Sequence, residues 1–279
     1  ASKATQAQSR MKMIEKIQAE AVAVPKRGLS AGFLRLAPAP HAGVEIVRLE
    51  NVDFSYDGQR KVLRDVNLSI TRGEKVAVVG FNGMGKTTLL RIMAGTRAPT
   101  GGTVTLGHKV TPGYLSQEFS ETIPPEVSVF ECAKRCAPGL TEKDLRSRLG
   151  AFGFSADDIG KPSGVLSGGE KIRLAFLRLF LSPPNLMLLD EPTTHLDMDG
   201  RATLERAIRK YDGTVCLVSH DIEFVRNTVG AIIEISPAGV RRFPGGYDYY
   251  REKTAAENNA PADNTAGSQA TTDDPEAAP

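Results

Sequence analysis

The chain has 279 residues, of which 41% are hydrophobic and 24% are charged, and its 35 lysines and arginines nearly balance its 33 aspartates and glutamates. This is the composition of an ordinary globular protein with a sizeable core, and the charge balance gives no basic character that would argue for nucleic-acid binding. Neither a run of roughly 18 apolar residues nor an apolar signal segment occurs, so we predict no direct membrane insertion and no secretion. Three cysteines suit a reducing compartment, and we expect a cytoplasmic protein.

The two ends of the chain differ from its middle. Residues 1–43 begin with a stretch typical of an amphipathic helix and continue into a connector rich in proline and glycine. The basic residues of this helix are candidates for RNA contact, although a solvated helix face explains them equally well: Arg10, Lys12 and Lys16. After Thr254 there is no lysine, arginine, isoleucine, leucine, valine or aromatic residue, so we predict a disordered tail over residues 254–279.

Residues 44–253 have the pattern of a compact α/β domain. The segments Val44–Ile46 and Val66–Ile70 alternate between apolar and polar residues, as half-exposed antiparallel strands do. Three other segments are continuous apolar runs, which central parallel strands require: Val76–Val79, Leu186–Leu189 and Val215–Val218.

A glycine-rich loop follows the first apolar run. Residues 80–87 match the pattern GxxxxGK[ST] and lead directly into the helical run Thr88–Met93. Glycines let backbone N–H groups converge on phosphate oxygens, and the positive end of the helix dipole points to the same place. Lys86 is expected to bridge the β- and γ-phosphates, and the hydroxyl of Thr87 to coordinate Mg²⁺. The predicted nucleotide-binding residues of this segment are Gly80, Phe81, Asn82, Gly83, Met84, Gly85, Lys86, Thr87 and Thr88.

An acidic pair ends the second apolar run. Asp190 is predicted to hold Mg²⁺ through water. Glu191 is predicted to act as general base on the attacking water, a role that typically contributes about 10²–10⁴-fold. An apolar run that ends in two acidic residues is common by itself. Here Pro-Thr-Thr-His-Leu-Asp follows as residues 192–197, which makes the pattern specific.

Three further residues are candidates for the same site. Gln117 lies in the chain where a carboxamide could reach both the metal and the water, although a glutamine alone is usually a surface residue. His220 ends the third apolar run at the same predicted sheet edge as Glu191, which favours contact with the γ-phosphate over a structural role. Tyr56 precedes the loop and is predicted to stack on adenine, with a core aromatic as the alternative.

The segment Leu166–Glu170 (Leu-Ser-Gly-Gly-Glu) precedes an apolar helix over residues 172–181. Glycines and a serine at a helix N-terminus make a second anion site, so the chain has two phosphate sites but one lysine-bearing loop. Two domains that pair head to tail resolve this, because each loop is then covered by the other domain's segment and hydrolysis requires closure. The residues predicted to contact a partner's ATP are Ser167, Gly168, Gly169 and Glu170.

Together these motifs resemble a complete nucleotide-binding domain of the ATP-binding cassette (ABC) proteins, over about residues 44–253. The resemblance implies an α/β fold of the ABC-type P-loop NTPase class. Such a domain has a RecA-like parallel-sheet core, an antiparallel β subdomain and a small helical subdomain. It also implies an ATPase that uses ATP and Mg²⁺, and it identifies residues 166–170 as the ABC signature.

Several details resemble the F-type, ribosome-associated ABC proteins (ABC-F). The signature continues as Glu-Lys-Ile-Arg-Leu over residues 170–174, like the LSGGEKxRL form of that group. Residues 190–197 are similar to its DEPTNHLD motif, with Thr194 in place of the usual asparagine. Three segments resemble parts of its second cassette and the end of its interdomain linker: residues 64–68, 243–250 and 6–16.

The resemblance implies the second cassette of a tandem protein, preceded by the end of the linker. The partner would be the first cassette of the same full-length protein or a second copy of this chain, with the ribosome and tRNA as further candidates. The alternative is the ATP-binding subunit of an ABC membrane transporter, with its coupling contacts between Gln117 and Leu166. A catalytically dead structural cassette is disfavoured because Lys86, Glu191 and His220 are all present.

Overall fold

The computed structural model describes residues 36–116, 123–194 and 196–259. The strands, in chain order, are β1 (Glu45–Ser55), β2 (Lys61–Thr71), β3 (Lys75–Val79), β4 (Gly101–Leu106), β5 (Pro112–Leu115), β6 (Leu186–Asp190), β7 (Thr214–Val218), β8 (Ala231–Ser236) and β9 (Gly239–Phe243). The helices are α1 (Lys86–Met93), α2 (Val129–Cys136), α3 (Glu142–Ala151), α4 (Gly168–Leu181), α5 (Met198–Lys210), α6 (Ile222–Thr228) and α7 (Tyr247–Asn259). The helix predicted near the N-terminus lies outside the described residues.

Two sheets form the framework. Strands β2, β1 and β4 form an antiparallel three-stranded sheet. The other six strands form a sheet in the order β5-β6-β7-β3-β8-β9. The first five strands in this order, β3 included, are parallel, and β9 runs antiparallel to β8. The alternating segments therefore lie in the antiparallel sheet and the continuous apolar runs lie in the parallel one, so the predicted fold class is confirmed.

The parallel sheet is buried on both faces, which is why its strands are apolar without interruption. On β3, Val76 and Val78 pack against α1 and the antiparallel sheet, whereas Ala77 faces the opposite cluster that includes α4 and α5. The same alternation on β6 places Leu188 on the α1 face and Leu189 on the other. The helix that follows the glycine-rich loop is thus fixed against the centre of the sheet.

Helices α2, α3 and α4 form the small helical subdomain that the resemblance predicts. The rings of Phe152 and Phe180, from the ends of α3 and α4, are 5.6 Å apart in a T-shaped contact. Cys132 and Cys136 lie one turn apart on α2 as free thiols. None of the helices in the described ranges combines the length and the apolar character that crossing a membrane needs.

The last helix corrects the predicted start of the tail. The sequence predicts disorder from residue 254, but α7 continues to Asn259. Two alanines in this stretch favour helix, and Glu257 accepts a hydrogen bond of 2.9 Å from the guanidinium of Arg241 on β9. A low apolar content therefore did not prevent an anchored helix from continuing. Residues 260–279 lie outside the described residues.

Candidate functional site

The candidate site lies at the carboxyl ends of the parallel strands. The glycine-rich loop follows β3, Glu191 follows β6, and His220 follows β7 after one residue, so all three reach one edge of the sheet. This is the edge where open α/β sheets bind ligands. A cleft of about 1370 Å³ opens there. The predicted site residues that line it are Tyr56, Asn82, Gly83, Met84, Gly85, Lys86, Thr87, Thr88, Asp190, Glu191 and His220.

Glycines shape the phosphate loop because its backbone adopts conformations that side chains disfavour. Gly80 has a φ of +149°, and a Cβ atom there would lie 2.3 Å from the carbonyl oxygen of Ile235. Gly85, at the N-cap of α1, has a φ of +97°. The Nζ of Lys86 donates hydrogen bonds of 2.8 and 3.2 Å to the carbonyl oxygens of Gly80 and Phe81. The ammonium group therefore lies inside the loop at the start of a helix, where a phosphate group binds favourably.

Glu191 is held by the end of β7 and the turn that follows it. Its φ of +51° lies in the left-handed region, which is uncommon for a residue other than glycine. Its N–H donates a 2.9 Å hydrogen bond to the carbonyl oxygen of Val218 on β7. Its Oε2 accepts a 3.2 Å bond from the backbone N–H of His220. Its Oε1 is buried and lies 3.3 Å from the Nε2 of His220, without hydrogen-bond geometry to any residue that the structure describes.

Burial dominates the electrostatics of the site. Burial raises the pKa of Glu191, and the hydrogen bond and charge of His220 only oppose this shift. Burial also lowers the pKa of Lys86, against the attraction of Glu191 and Asp190. A carboxylate whose pKa is raised toward neutrality is a better proton acceptor than an exposed one.

The raised pKa predicts how Glu191 affects stability. Between the ordinary value of 4.5 and the raised value, the folded protein keeps a proton that the unfolded chain has lost, so stability falls as pH rises through this window. We expect Glu191→Gln to raise the melting temperature at about pH 8, because it removes the buried charge. Thermal unfolding without nucleotide should show this gain shrinking as the pH is lowered. A gain that does not change with pH would contradict the burial argument.

The oxygen atoms of the cleft fit a magnesium ion that is shared with a nucleotide. Thr87 offers a hydroxyl and Asp190 a carboxylate that is 2% exposed. Among the described residues, no group of three or more histidine, cysteine, aspartate or glutamate residues is placed to hold a metal. Mg²⁺ commonly binds through one or two protein oxygens together with phosphate oxygens and water. Gln117, the third predicted ligand, lies outside the described residues.

Tyr56 lines the cleft, and the residue is 59% exposed. Its hydroxyl shares a 2.8 Å hydrogen bond with the hydroxyl of Thr88 on α1. The edge of the ring packs against Phe54 with centroids 4.9 Å apart, and the guanidinium of Arg97 lies 5.3 Å from the Tyr56 centroid. This exposure argues against the core-aromatic alternative, and stacking on adenine stays a prediction.

The structure also brings residues into the cleft that the sequence did not single out. Arg201 on α5 forms a 2.8 Å ion pair with Asp221, and both line the cleft. Asp221 also caps α6 by accepting a 3.1 Å bond from the N–H of Phe224. Its position between His220 and an apolar helix is a sequence signal for such a cap. Nothing in the sequence indicates the contact with Arg201, which comes from a separate helix.

The signature lies apart from this cleft. Ser167, Gly168 and Gly169 are exposed at the N-terminus of α4, and none of them is among the described residues that line the cleft. The N–H and the hydroxyl of Ser167 donate to Oε2 of Glu170 at 2.9 and 2.7 Å, and these bonds lower the pKa of Glu170. A Cβ atom at Gly168 would meet nothing within 4 Å. The helix start is therefore capped and open, and it does not line the cleft that contains the chain's own glycine-rich loop.

Comparison with known proteins gives consistent relatives. Residues 63–194 match the family model described as ABC transporter. The putative ATP-binding protein YdiF of Bacillus subtilis is 39% identical over 91% of this chain and 39% of its own length. ABC transporter F family member 5 of Arabidopsis thaliana is 37% identical over 87% of this chain and 35% of its own length. The chain thus spans well under half the length of these two relatives.

Solved structures match the same region. The dimeric structure of a bacterial ABC transporter cassette is 25% identical, with a TM-score of 0.60 over 71% of this chain and 98% of that one. A post-hydrolysis dimer of that cassette, bound to ADP and Pi, is also 25% identical, with a TM-score of 0.58. The ATP-binding subunit of an ABC transporter has a TM-score of 0.63 at 21% identity, which supports the fold alone.

Proposed function

This chain belongs to the F family of ATP-binding cassette proteins and carries its ATPase domain, and from that premise we propose how its cleft works. The cleft binds ATP with Mg²⁺ and hydrolyses it when the signature of a partner cassette closes over the loop. One observation carries this proposal: Lys86, Asp190, Glu191 and His220 meet in one cleft, whereas the signature lies elsewhere.

Each residue of the cleft has a role that follows from its position. Lys86 gives up its carbonyl partners for the β- and γ-phosphates, since charge-assisted bonds to phosphate are the stronger ones. A Mg²⁺ ion held by Thr87 and Asp190 would neutralise charge on the phosphates. Glu191, whose Oε1 has no hydrogen-bond partner among the described residues, accepts the proton of the attacking water once ATP is bound. His220, beside that oxygen, orients the carboxylate and contacts the γ-phosphate.

The proposed partner is the first cassette of the same protein. The open helix start at Ser167–Gly169 supports a contact in trans, because the positive end of a helix dipole at an exposed N-terminus attracts phosphate. The dimeric solved cassette supports pairing as well. Since this chain spans well under half the length of its ABC-F relatives, the first cassette of the same full-length protein is the simplest partner. A second copy of this chain is the other candidate.

We propose that this ATPase binds to the ribosome. The support is the signature form LSGGEKIRL and the level of identity to ABC-F proteins, which exceeds that to transporter cassettes. The basic residues predicted on the N-terminal helix, which are candidates for RNA contact, lie outside the described residues. Binding that depends on them should weaken as salt is raised.

Sedimentation tests this assignment. The two-cassette protein with Glu191→Gln should bind ATP without hydrolysing it, remain closed and co-sediment with ribosomes when ATP is present. The matched control carries Lys86→Ala in addition, which should weaken ATP binding by about 10- to 100-fold and reduce co-sedimentation strongly when ATP is limiting. Recovery of the Glu191→Gln protein in the ribosome-free fraction would contradict a ribosomal role. Recovery with membranes would contradict it as well and would favour the transporter alternative.

A further inference from the structure

Tyr114 reaches the acidic end of β6 from the neighbouring strand. It lies on β5 and pairs in register with Leu188 of β6, two residues before Asp190. Both Tyr114 and Leu188 pack in the cluster on the α1 face of the sheet. Residues two apart on a strand share a face, so Asp190 belongs to that face as well. The Tyr114 hydroxyl lies 3.2 Å from Oδ2 of Asp190.

A third element approaches the same hydroxyl. The Nε of Arg91 on α1 lies 3.4 Å from the Tyr114 oxygen. The guanidinium has no acceptor, so it donates and the tyrosine oxygen accepts. The tyrosine proton is then left for Asp190, which as a carboxylate only accepts. A tyrosine hydroxyl, with an ordinary pKa of about 10, keeps this proton at neutral pH.

The direction of these bonds has a consequence for Asp190. Its carboxylate is almost fully buried, and a buried carboxylate oxygen without a donor costs free energy. The bond from Tyr114 occupies Oδ2 and fixes the rotation of the carboxylate. That rotation determines which way the other oxygen faces at the edge of the sheet. Partners that orient metal-binding carboxylates typically affect metal affinity by about 10–100-fold.

We propose that Tyr114 is a positioning residue that holds Asp190 in the orientation needed to bind a divalent cation together with ATP, with Arg91 orienting the Tyr114 hydroxyl. This rests on the proposed metal role of Asp190. The contacts of Tyr114 also connect three elements of the site: the helix after the phosphate loop, the strand that carries Asp190, and the strand that leads toward Gln117.

The test is the Mg²⁺ dependence of nucleotide binding by the 279-residue chain. A fluorescent ATP analogue is titrated in EDTA and at increasing Mg²⁺ concentrations. Tyr114→Phe removes the hydroxyl and little else. We expect it to raise the Mg²⁺ concentration for half-maximal enhancement by about 10-fold and to leave the affinity in EDTA unchanged. Arg91→Met leaves the tyrosine in place and should cause a smaller shift in the same direction.

Tyr250→Phe is the matched control. The Tyr250 hydroxyl donates to Oε1 of Glu234 at 2.9 Å, and burial raises the pKa of Tyr250 to about 12. It does not line the cleft. This variant should lose a tyrosine–carboxylate bond, and some thermal stability, without changing the Mg²⁺ dependence.

Three other outcomes overturn the proposal, and they can be told apart. Unchanged Mg²⁺ dependence in Tyr114→Phe removes the positioning role and leaves the proposed function intact. Equal weakening in EDTA and in Mg²⁺ means that Tyr114 only supports the fold of the site. Nucleotide binding that is independent of Mg²⁺ in the unaltered chain removes both this proposal and the metal role of Asp190.

Discussion

Replacing Glu191 with glutamine should lower the rate of ATP hydrolysis by about 10²–10⁴-fold, the usual contribution of a general base. Glutamine keeps the shape of the side chain and can still accept the hydrogen bond from the His220 backbone, but it cannot take a proton from water. ATP binding should persist, because the proposed phosphate contacts belong to Lys86 and the loop and not to Glu191. Two measurements check this: steady-state phosphate release gives the rate of hydrolysis, and equilibrium binding gives the affinity for ATP.

Glu234→Gln is the matched control for this variant. Glu234 is a partly buried carboxylate on β8 that bonds to Arg241 and Tyr250 and does not line the cleft. Its replacement should leave the rate of hydrolysis within about twofold of the unaltered protein, even if it lowers the melting temperature. If Glu191→Gln retained a rate of the same order as the control, another group would have to be the base.

Replacing Lys86 with alanine should weaken ATP binding by about 10- to 100-fold, which corresponds to about 1.5–3 kcal/mol for bonds to a charged group. The Lys86 ammonium is held inside the loop by two carbonyl oxygens and is partly desolvated before ATP arrives. In the proposed binding mode it therefore loses less hydration on meeting the phosphates than an exposed lysine would. Isothermal titration with ATP and Mg²⁺ measures the loss.

Lys75→Ala separates this effect from the loss of any buried lysine. Lys75 begins β3, the strand whose other end leads into the phosphate loop, and burial lowers its pKa as well. It does not line the cleft, so its replacement should cost stability and leave the affinity for ATP unchanged. Equal losses of affinity in both variants would show that the effect comes from a weakened β3 and not from the phosphate contact.

The sequence predicted the central strands and the phosphate loop well, because each depends on local pattern. An uninterrupted apolar run such as Val215–Val218 is favourable as a strand of a sheet whose two faces are both covered by other elements. Gly80 and Gly85 adopt backbone conformations that the loop pattern already requires. The order of the motifs along the chain then placed Glu191 and His220 at one edge, since parallel strands end together.

Contacts between distant segments could not be predicted in this way. The bond from Tyr114 to Asp190 joins residues 76 apart in sequence and depends on β5 pairing with β6. The pairing of Arg201 with Asp221 depends on how α5 packs against α6. The end of α7 was also missed, because the helix begins with Tyr247 and Tyr250 packed against the core and continues into a stretch whose composition alone indicates disorder.

The central claim is that the signature of one cassette completes the ATP site of another, and mixing two inactive variants tests it most directly. Lys86→Ala removes the proposed phosphate-binding lysine of the loop. Gly168→Asp places a negative charge at the signature helix, at a position with room for a side chain. At a concentration where the unaltered chain hydrolyses ATP, each variant alone should be inactive. An equimolar mixture should regain activity, because one composite site then has an intact loop and an intact signature. A mixture no more active than the mean of its two components would contradict the claim.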